Sequence, residues 1–306
     1  MNRKNILVVG SLNMDMVINL KKIPVPGETV LNESYYYSLG GKGANQACTI
    51  GKLEGQVKML GCIGEDEFGK KLISNLEKFK VDTKDIKITQ NINTGMAVVA
   101  VDREGNNSII VSAGANLGCD VEYIRTKKDF IDHSDIILAQ LEIPYEAVFE
   151  VFKEAHKLGK TLVLNPAPYS DKISDELLKM VDIIIPNETE LMSLVGSDDK
   201  DFSLDSITKK AKEVLLRGVK NVIVTLGSRG AVLVNRDKVE HFTVDEVKVV
   251  DTTAAGDCFS GALVVAIAEG KTIEQSIKFA NKASTLAVTK KGAQSSLPSR
   301  EEIISK

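Results

Sequence analysis

The run Val250-Asp251-Thr252-Thr253-Ala254-Ala255-Gly256-Asp257-Cys258-Phe259-Ser260-Gly261 sets the carboxylate of Asp257 among small residues. Val247–Val250 reads as the end of a strand and Gly261–Ala268 as a buried helix, so Asp257 falls in the first helical turn. Small residues let a ligand approach the backbone closely. A helix start leaves N–H groups unpaired, carries partial positive charge, and binds anions without help from a side chain. A carboxylate in that position can take a proton while neighbouring N–H groups hold a phosphate, which is what phosphoryl transfer to an alcohol needs. A lone Gly-Asp pair is more commonly an N-cap on a core helix, so the remaining polar groups decide between the two readings.

Those groups recur at strand ends. Asn13 and Asp15 are two residues apart and point the same way in extended chain, where an amide and a carboxylate suit vicinal hydroxyls; an Asx-turn explains them equally well. In Leu39-Gly40-Gly41-Lys42-Gly43-Ala44-Asn45-Gln46-Ala47 the glycines bring backbone towards a ligand, Lys42 can hold a phosphate or a sugar oxygen, and Asn45 a hydroxyl. Helical character begins at Ala44 and runs through Leu53, and Gly43 after Lys42 excludes a Walker A loop. Gly64–Lys70 has P-loop spacing, but Glu65, Asp66 and Glu67 repel phosphate and read as helix-capping acids. Glu142 follows the strand Ile136–Leu138, where an ordinary surface acid is the plain alternative. Asn187 and Glu190 share one helical face, or form a capping pair. Thr225-Leu226-Gly227-Ser228-Arg229-Gly230 suits a nucleotide's phosphates or ribose, or a β-turn between adjacent strands.

The elements that must carry these groups are short apolar runs alternating with amphipathic ones. Ile6–Val9, Val57–Leu60, Ile136–Leu138, Leu162–Leu164, Ile183–Ile185 and Val222–Thr225 read as buried strands; Phe68–Lys80, Tyr145–Leu158, Ile207–Arg217 and Ile273–Val288 read as helices. This alternation predicts a mostly parallel sheet covered on both faces, with ligands beyond the C-terminal strand ends. Met16-Val17-Ile18, Thr29-Val30-Leu31, Met96–Val101 and Ser108–Val111, the last two flanking Arg103-Glu104-Gly105-Asn106, predict a small projecting β-sheet. Its apolar faces need cover, as a lid over a ligand, by pairing with a second copy, or both.

Bulk properties narrow the classes. A net charge of −3 gives no reason to expect nucleic acid or a membrane surface, and no stretch is apolar for long enough to span a bilayer. The four cysteines have no metal spacing and no exported disulfide pattern, so a reducing, cytoplasmic location is expected. The three histidines are scattered, against zinc and His-based triads.

The Leu39–Ala47 loop and the Val250–Gly261 run resemble the two signatures of the ribokinase-like family of sugar kinases, and the lesser motifs fall in family order from Asn13 to Ser296. The resemblance implies a three-layer α/β/α sandwich with a small β-sheet lid. Residues 1–306 would form one kinase domain, with lid segments at about 14–37 and 96–111. It implies ATP-dependent phosphorylation of D-ribose at the 5-hydroxyl, with Asp257 as base and the N–H groups of Ala254, Ala255 and Gly256 as anion hole. Asn13, Asp15, Gly41, Lys42, Gly43, Asn45 and Glu142 would then hold the sugar. Asn187 and Glu190 would serve the phosphates and hydrated Mg²⁺. Thr225, Gly227, Ser228, Arg229, Gly230, Gly256 and Asn281 would serve the nucleotide. Asp251, Thr253, Ala287, Lys290, Gly292 and Ser296 would hold potassium, and the lid strands would pair in a homodimer. Beside a helix N-terminus Asp257 is expected to stay ionised and be a weak base. A related sugar such as 2-deoxyribose, or a sugar-sensing protein without turnover, are the competing expectations.

Overall fold

The computed structural model describes residues 4–305. Their strands are, in chain order, β1 (Asn5–Val9), β2 (Asn13–Asn19), β3 (Ser34–Gly40), β4 (Gln56–Leu60), β5 (Cys62–Gly64), β6 (Lys87–Thr89), β7 (Gly95–Val101), β8 (Asn107–Ser112), β9 (Ile136–Ala139), β10 (Thr161–Leu164), β11 (Ile183–Ile184), β12 (Asn221–Thr225), β13 (Ala231–Asn235) and β14 (Val239–Phe242). One sheet has the order β14-β13-β12-β11-β10-β9-β1-β4. It is parallel from β4 to β12, and β13 and β14 extend it as an antiparallel edge.

The two-residue period of a strand separates two cores. Ile6 and Val8 of β1 pack under the helices Lys42–Lys52, Glu67–Lys78, Ala255–Ala268 and Ile273–Ala287. Leu7 and Val9 pack under Tyr145–Lys157, Asp175–Met180, Glu188–Leu194 and Leu204–Leu216. The result is a three-layer α/β/α sandwich. Ala255–Ala268 is apolar nearly all round and buried nearly throughout. Burying each of its Phe259, Leu263, Val264 and Val265 side chains stabilises by about 1.5–3 kcal/mol. Gly261 lets Lys42–Lys52 cross closely, because a Cβ there would lie 2.7 Å from the Thr49 Cβ.

The chain leaves β1 towards β4 on one side and later returns to β9 on the other. Its switch point is therefore the crevice beyond β1 and β9, where ligands of open α/β sheets bind. The second sheet, β3-β2-β7-β8, starts at that crevice. Asn13 pairs with Gly40 and Gly95, and Asp15 with Ser38 and Ala97.

Four local expectations are corrected. Thr29-Val30-Leu31 forms no strand: its Leu31 is 90% exposed, and the partner of β2 is Ser34–Gly40, whose Tyr35-Tyr36-Tyr37 favours a pleated surface. Val247–Val250 lies outside the sheets, because β14 already ends the larger one; Val250 is held instead by its N–H donating to the Val288 carbonyl at 2.8 Å. The following helix begins at Ala255, not Gly261, and the Lys42–Lys52 helix begins at Lys42, two residues before the expected Ala44.

Candidate active site

The crevice floor is built from the ends of β1 and β9. Ser11 donates its hydroxyl to Glu142 Oε2 at 2.6 Å, and the Lys42 N–H donates to the same oxygen at 3.2 Å. One carboxylate thus ties both strand ends to the mouth of the Lys42–Lys52 helix. The approach is close enough to require glycine: Gly41 has φ 88°, and a Cβ on Gly43 would lie 2.6 Å from the Ser11 nitrogen. Asn13 is buried, its Oδ1 accepting from Asn116 Nδ2 at 2.7 Å. Asp15 lies against Gly40, where a Cβ would come within 2.2 Å of the carboxylate.

Asp257 is the third residue of its helix and is 7% exposed. It does not cap the helix; Ala254 holds the cap position in left-handed conformation, φ 60°. The Asp257 carboxylate instead accepts from Asn45 Nδ2 at 2.9 Å and from Gln46 Nε2 at 3.0 Å. Burial holds this carboxyl above the ordinary carboxylate range, against the pull of Lys42 and the two amides, with Glu142 pushing the same way as burial. It is therefore a stronger base than the helix terminus alone would make it, which revises the weak base expected from sequence. Among the described residues the N–H groups of Gly256 and Asp257 have no protein partner, whereas that of Ala255 makes a long bond, 3.2 Å, to the Thr252 carbonyl. The expected trio at the helix mouth is so far only partly open.

Charge at the crevice is lopsided. Burial lowers the Lys42 ammonium, but Asp257, Glu142, Glu190 and Asp15 together raise it. Burial lifts the Asp15 carboxyl to about 7, with Glu142 and Asp257 adding and Lys42 opposing. One ammonium among four acids leaves the site short of positive charge for a polyphosphate.

A cleft of about 220 Å³ opens from Asp257 over the helix mouth and reaches Lys42, Asn187, Glu190, Thr225 and Ala254–Gly256. Asn187 and Glu190 form a reciprocal capping box, Glu190 N–H to Asn187 Oδ1 at 2.8 Å and Asn187 N–H to Glu190 Oε2 at 2.9 Å. They are thus both a cap and a wall of the cleft. A second cleft, about 280 Å³, is lined by Asn13, Glu142, Val111 and Leu141, under the smaller sheet.

Other expected residues stand apart from the lining. Gly227–Arg229 are an exposed 3₁₀ turn joining β12 to β13, and Arg229 pairs through one guanidinium nitrogen with Glu188. Gly230 packs on Phe242, whose carbonyl a Cβ would approach to 2.0 Å, and Asn281 donates to that same carbonyl at 3.1 Å. Of the expected potassium residues, Asp251 joins Thr253 and Gly292: Oδ1 accepts from the Thr253 N–H and hydroxyl at 2.9 and 2.6 Å, and Oδ2 from the Gly292 N–H at 2.8 Å. Burial raises this carboxyl, but those donors and Lys291 outweigh it and keep it below its usual range. The Ala287 carbonyl accepts from the Lys290 N–H, Lys290 Nζ pairs with Glu302, and Ser296 donates to the Ala293 carbonyl.

Sequence reading passed over Ser11, Gln46, Gln140, Asn165 and Gln294. Their partners lie far away in the chain, as Gln46 and Asp257 do, and a single amide in an apolar stretch carries no periodic or spacing signal.

Comparison with known proteins identifies the family and the fold. The pfkB family of carbohydrate kinases is matched by residues 3–300. The chain is 39% identical over 302 residues to the ribokinase of Haemophilus influenzae, covering 99% of this chain and 98% of that protein. A ribokinase from Thermotoga maritima superposes with a TM-score of 0.89 at 39% identity, covering 99% of this chain and 98% of that one. The Arabidopsis thaliana ribokinase complexed with ribose and ATP superposes with a TM-score of 0.92 at 35% identity, again covering 99% of this chain and 98% of that one. Matched by the family model over residues 3–300 and 39% identical to a ribokinase over nearly its whole length, the chain belongs to the pfkB family of carbohydrate kinases.

Proposed function

We propose that the chain transfers the γ-phosphoryl group of ATP to the 5-hydroxyl of D-ribose, with Asp257 as the base. The observation that carries this is a buried carboxylate standing at a helix mouth whose Gly256 and Asp257 N–H groups have no partner among the described residues. Asn13, Asp15, Gly41, Lys42, Gly43, Asn45 and Glu142 hold the sugar beneath the smaller sheet, which acts as a lid on a single kinase domain. Asp257 takes the hydroxyl proton as the oxygen attacks phosphorus. The helix mouth, Ala254 to Gly256, holds charge gathering on the transferred group. A loose phosphoryl transition state asks for positioning and charge stabilisation above all. The nucleotide lies along Asn187, Glu190, Thr225 and Gly256, with the Gly227–Gly230 turn and Asn281 at its outer end.

Two ions fit the residues present. Glu190 keeps one oxygen clear of the capping box, and burial raises its carboxyl against the Asn187 N–H and Lys42. With Asn187 it can hold the waters of Mg²⁺, which keeps much of its hydration shell. Bound Mg²⁺ supplies the positive charge that one lysine among four acids does not. Ionised Asp251 knits the segment before the helix mouth to the Gly292 loop, so potassium held by Asp251, Thr253 and carbonyls of Ala287, Lys290, Gly292 and Ser296 would stiffen that mouth. Dependence on ATP fits a cytoplasmic setting, and among the described residues no helix is long and apolar enough to cross a membrane.

The test is a coupled ATP-consumption assay over a panel of sugars, with potassium or tetramethylammonium as the monovalent ion. Ribose-dependent ADP release, depressed by the large organic cation, is expected. A site that bonds the 2-hydroxyl should reject 2-deoxyribose by about 10⁴-fold or more. Preference for 2-deoxyribose would reassign the substrate, and no ADP with any sugar would leave a sensing protein without turnover.

A further inference from the structure

Behind Asp257 lie two chains of side-chain amides that donate towards its carboxylate. Gln46 is fully buried and donates Nε2–H to Asp257 Oδ1 at 3.0 Å. The same amide lies 3.1 Å from Asn165 Oδ1, and Asn165 donates onward to the Ile185 carbonyl at 3.0 Å. Its oxygen accepts from Gln140 Nε2 at 2.6 Å. On the other carboxylate oxygen, Asn45 donates at 2.9 Å, its own oxygen accepts from Gln294 Nε2 at 3.0 Å, and Gln294 accepts from Asn75 Nδ2 at 2.6 Å. Along Gln140–Gln46 and Asn75–Gln294–Asn45 each N–H₂ points towards Asp257 and each amide oxygen away from it, while Asn165 accepts from Gln46 at the side and donates away from the carboxylate.

That polarity is maintained at a cost. Gln140 Oε1 is buried with no hydrogen-bond partner among the described residues, and Gly10 has no side chain because a Cβ there would lie 2.0 Å from that oxygen. A buried acceptor without a donor has lost its water and gained nothing in exchange. Turning the Gln140 amide over would set its oxygen against that of Gln46, and turning Gln46 over would set an oxygen against the carboxylate. The stranded oxygen is thus the consequence of holding the Gln46 donor on Asp257.

We infer that Gln46, oriented by Gln140, is a positioning residue for Asp257: it fixes the rotamer of the base and favours its ionised form from inside the core. This rests on Asp257 being the base of the proposed reaction. Gln46 is buried behind the carboxylate and away from the cleft lining, so its action is through Asp257. The charged and titratable groups facing that carboxylate are Lys42 from its helix, Glu142 beyond β9, Asp15 on β2, Glu190 on the Glu188–Leu194 helix, and the adjacent Cys258. None of these is altered by changing Gln46, so a displaced titration reports the lost donor.

The test compares Gln46→Met with the native protein through the pH profile of kcat, the ribose KM, and the titration of Asp257 followed by ¹³C-carboxyl NMR without substrates. Expected are a fall in kcat of about 10- to 100-fold, a ribose KM within about threefold, and an acid limb and NMR titration both displaced upward by about one pH unit. Gln140→Met, which frees Gln46 to turn over, should move the same quantities in the same direction by less, and supplies the test if Gln46→Met does not fold. Gln46→Glu should regain activity towards low pH, where a protonated carboxyl can again donate. A lowered melting temperature with native kcat, acid limb and carboxyl titration in both Met variants would overturn the inference and reduce the amides to core packing. That result is distinct from failure of the proposed function, in which the native protein itself releases no ADP with ribose while the NMR comparison still reads the amides' effect.

Discussion

At the scale of single residues the site gathers acids that ordinary surfaces keep apart. Asp15 shows the consequence most plainly, because its carboxyl is lifted from 3.8 to about 7. A carboxyl raised in the folded state favours folding below its ordinary value, and that contribution is lost as pH rises from 3.8 to about 7. Asp15→Asn is therefore expected to raise stability at pH 8, by at most about 4 kcal/mol at about 1.36 kcal/mol per pH unit, and with it the melting temperature, and to change both little at pH 4. The same variant should weaken ribose binding, so that stability and function move in opposite directions. Equal melting temperatures at pH 8 would show that Asp15 is not held in the strained ionised state. Asp15 and Asn13 were legible in sequence as a pair on one strand face. The lifted carboxyl was not, because it depends first on burial and then on Glu142 and Asp257, all of which the fold brings about from far along the chain.

At the scale of elements, two glycines separate what the fold needs from what the ligand needs. A Cβ on Gly43 would press on Ser11 and Gly10 backbone at 2.6–2.8 Å, whereas a Cβ on Gly256 meets nothing within 4 Å. Gly43→Ala should push the Lys42–Lys52 helix off β1, with a loss of about 1–3 kcal/mol in urea unfolding and a fall in turnover. Gly256→Ala should fold as well as the native protein or better, by up to about 1 kcal/mol, yet raise the KM for ATP, since its methyl enters the space assigned to phosphate. Native ATP kinetics in Gly256→Ala would remove the helix mouth from the phosphate site. The Gly-rich loop and the small-residue run announced both helix starts in sequence, though not their first residues. Helix starts at Lys42 and Ala255 are fixed by the cap geometry of Gly41 and Ala254, both at positive φ, and residue type gives only weak notice of that for an alanine.

At the scale of the molecule, the parallel sheet and its two helical layers were written in the alternation of apolar runs, and the smaller sheet in the extended runs and hairpin that interrupt it, apart from Thr29-Val30-Leu31. The strand order was not, and with it the meeting of β1 and β9 at the switch point that makes the crevice. Nor does a Gly-Ser-Arg-Gly stretch in sequence reveal that Arg229 pairs with Glu188 across the chain. The smaller sheet leaves Tyr35, Ile109, Ile110 and Val111 exposed, with Ile110 at 71%. Pairing of two such sheets into a homodimer would cover them. Light scattering is expected to give twice the chain mass, and Ile110→Lys to return it to one; a monomeric native protein at micromolar concentration would exclude the dimer.

Single-turnover phosphoryl transfer by Asp257→Asn, followed by rapid quench at saturating ribose and ATP, tests the role of the buried carboxylate most directly. The asparagine keeps the shape of the site and loses the proton acceptor. Transfer slowed by about 10²- to 10⁴-fold, with ribose and ATP dissociation constants within about threefold of native, is the expected result. Transfer at a rate close to native would mean that another group takes the proton, and would contradict the account.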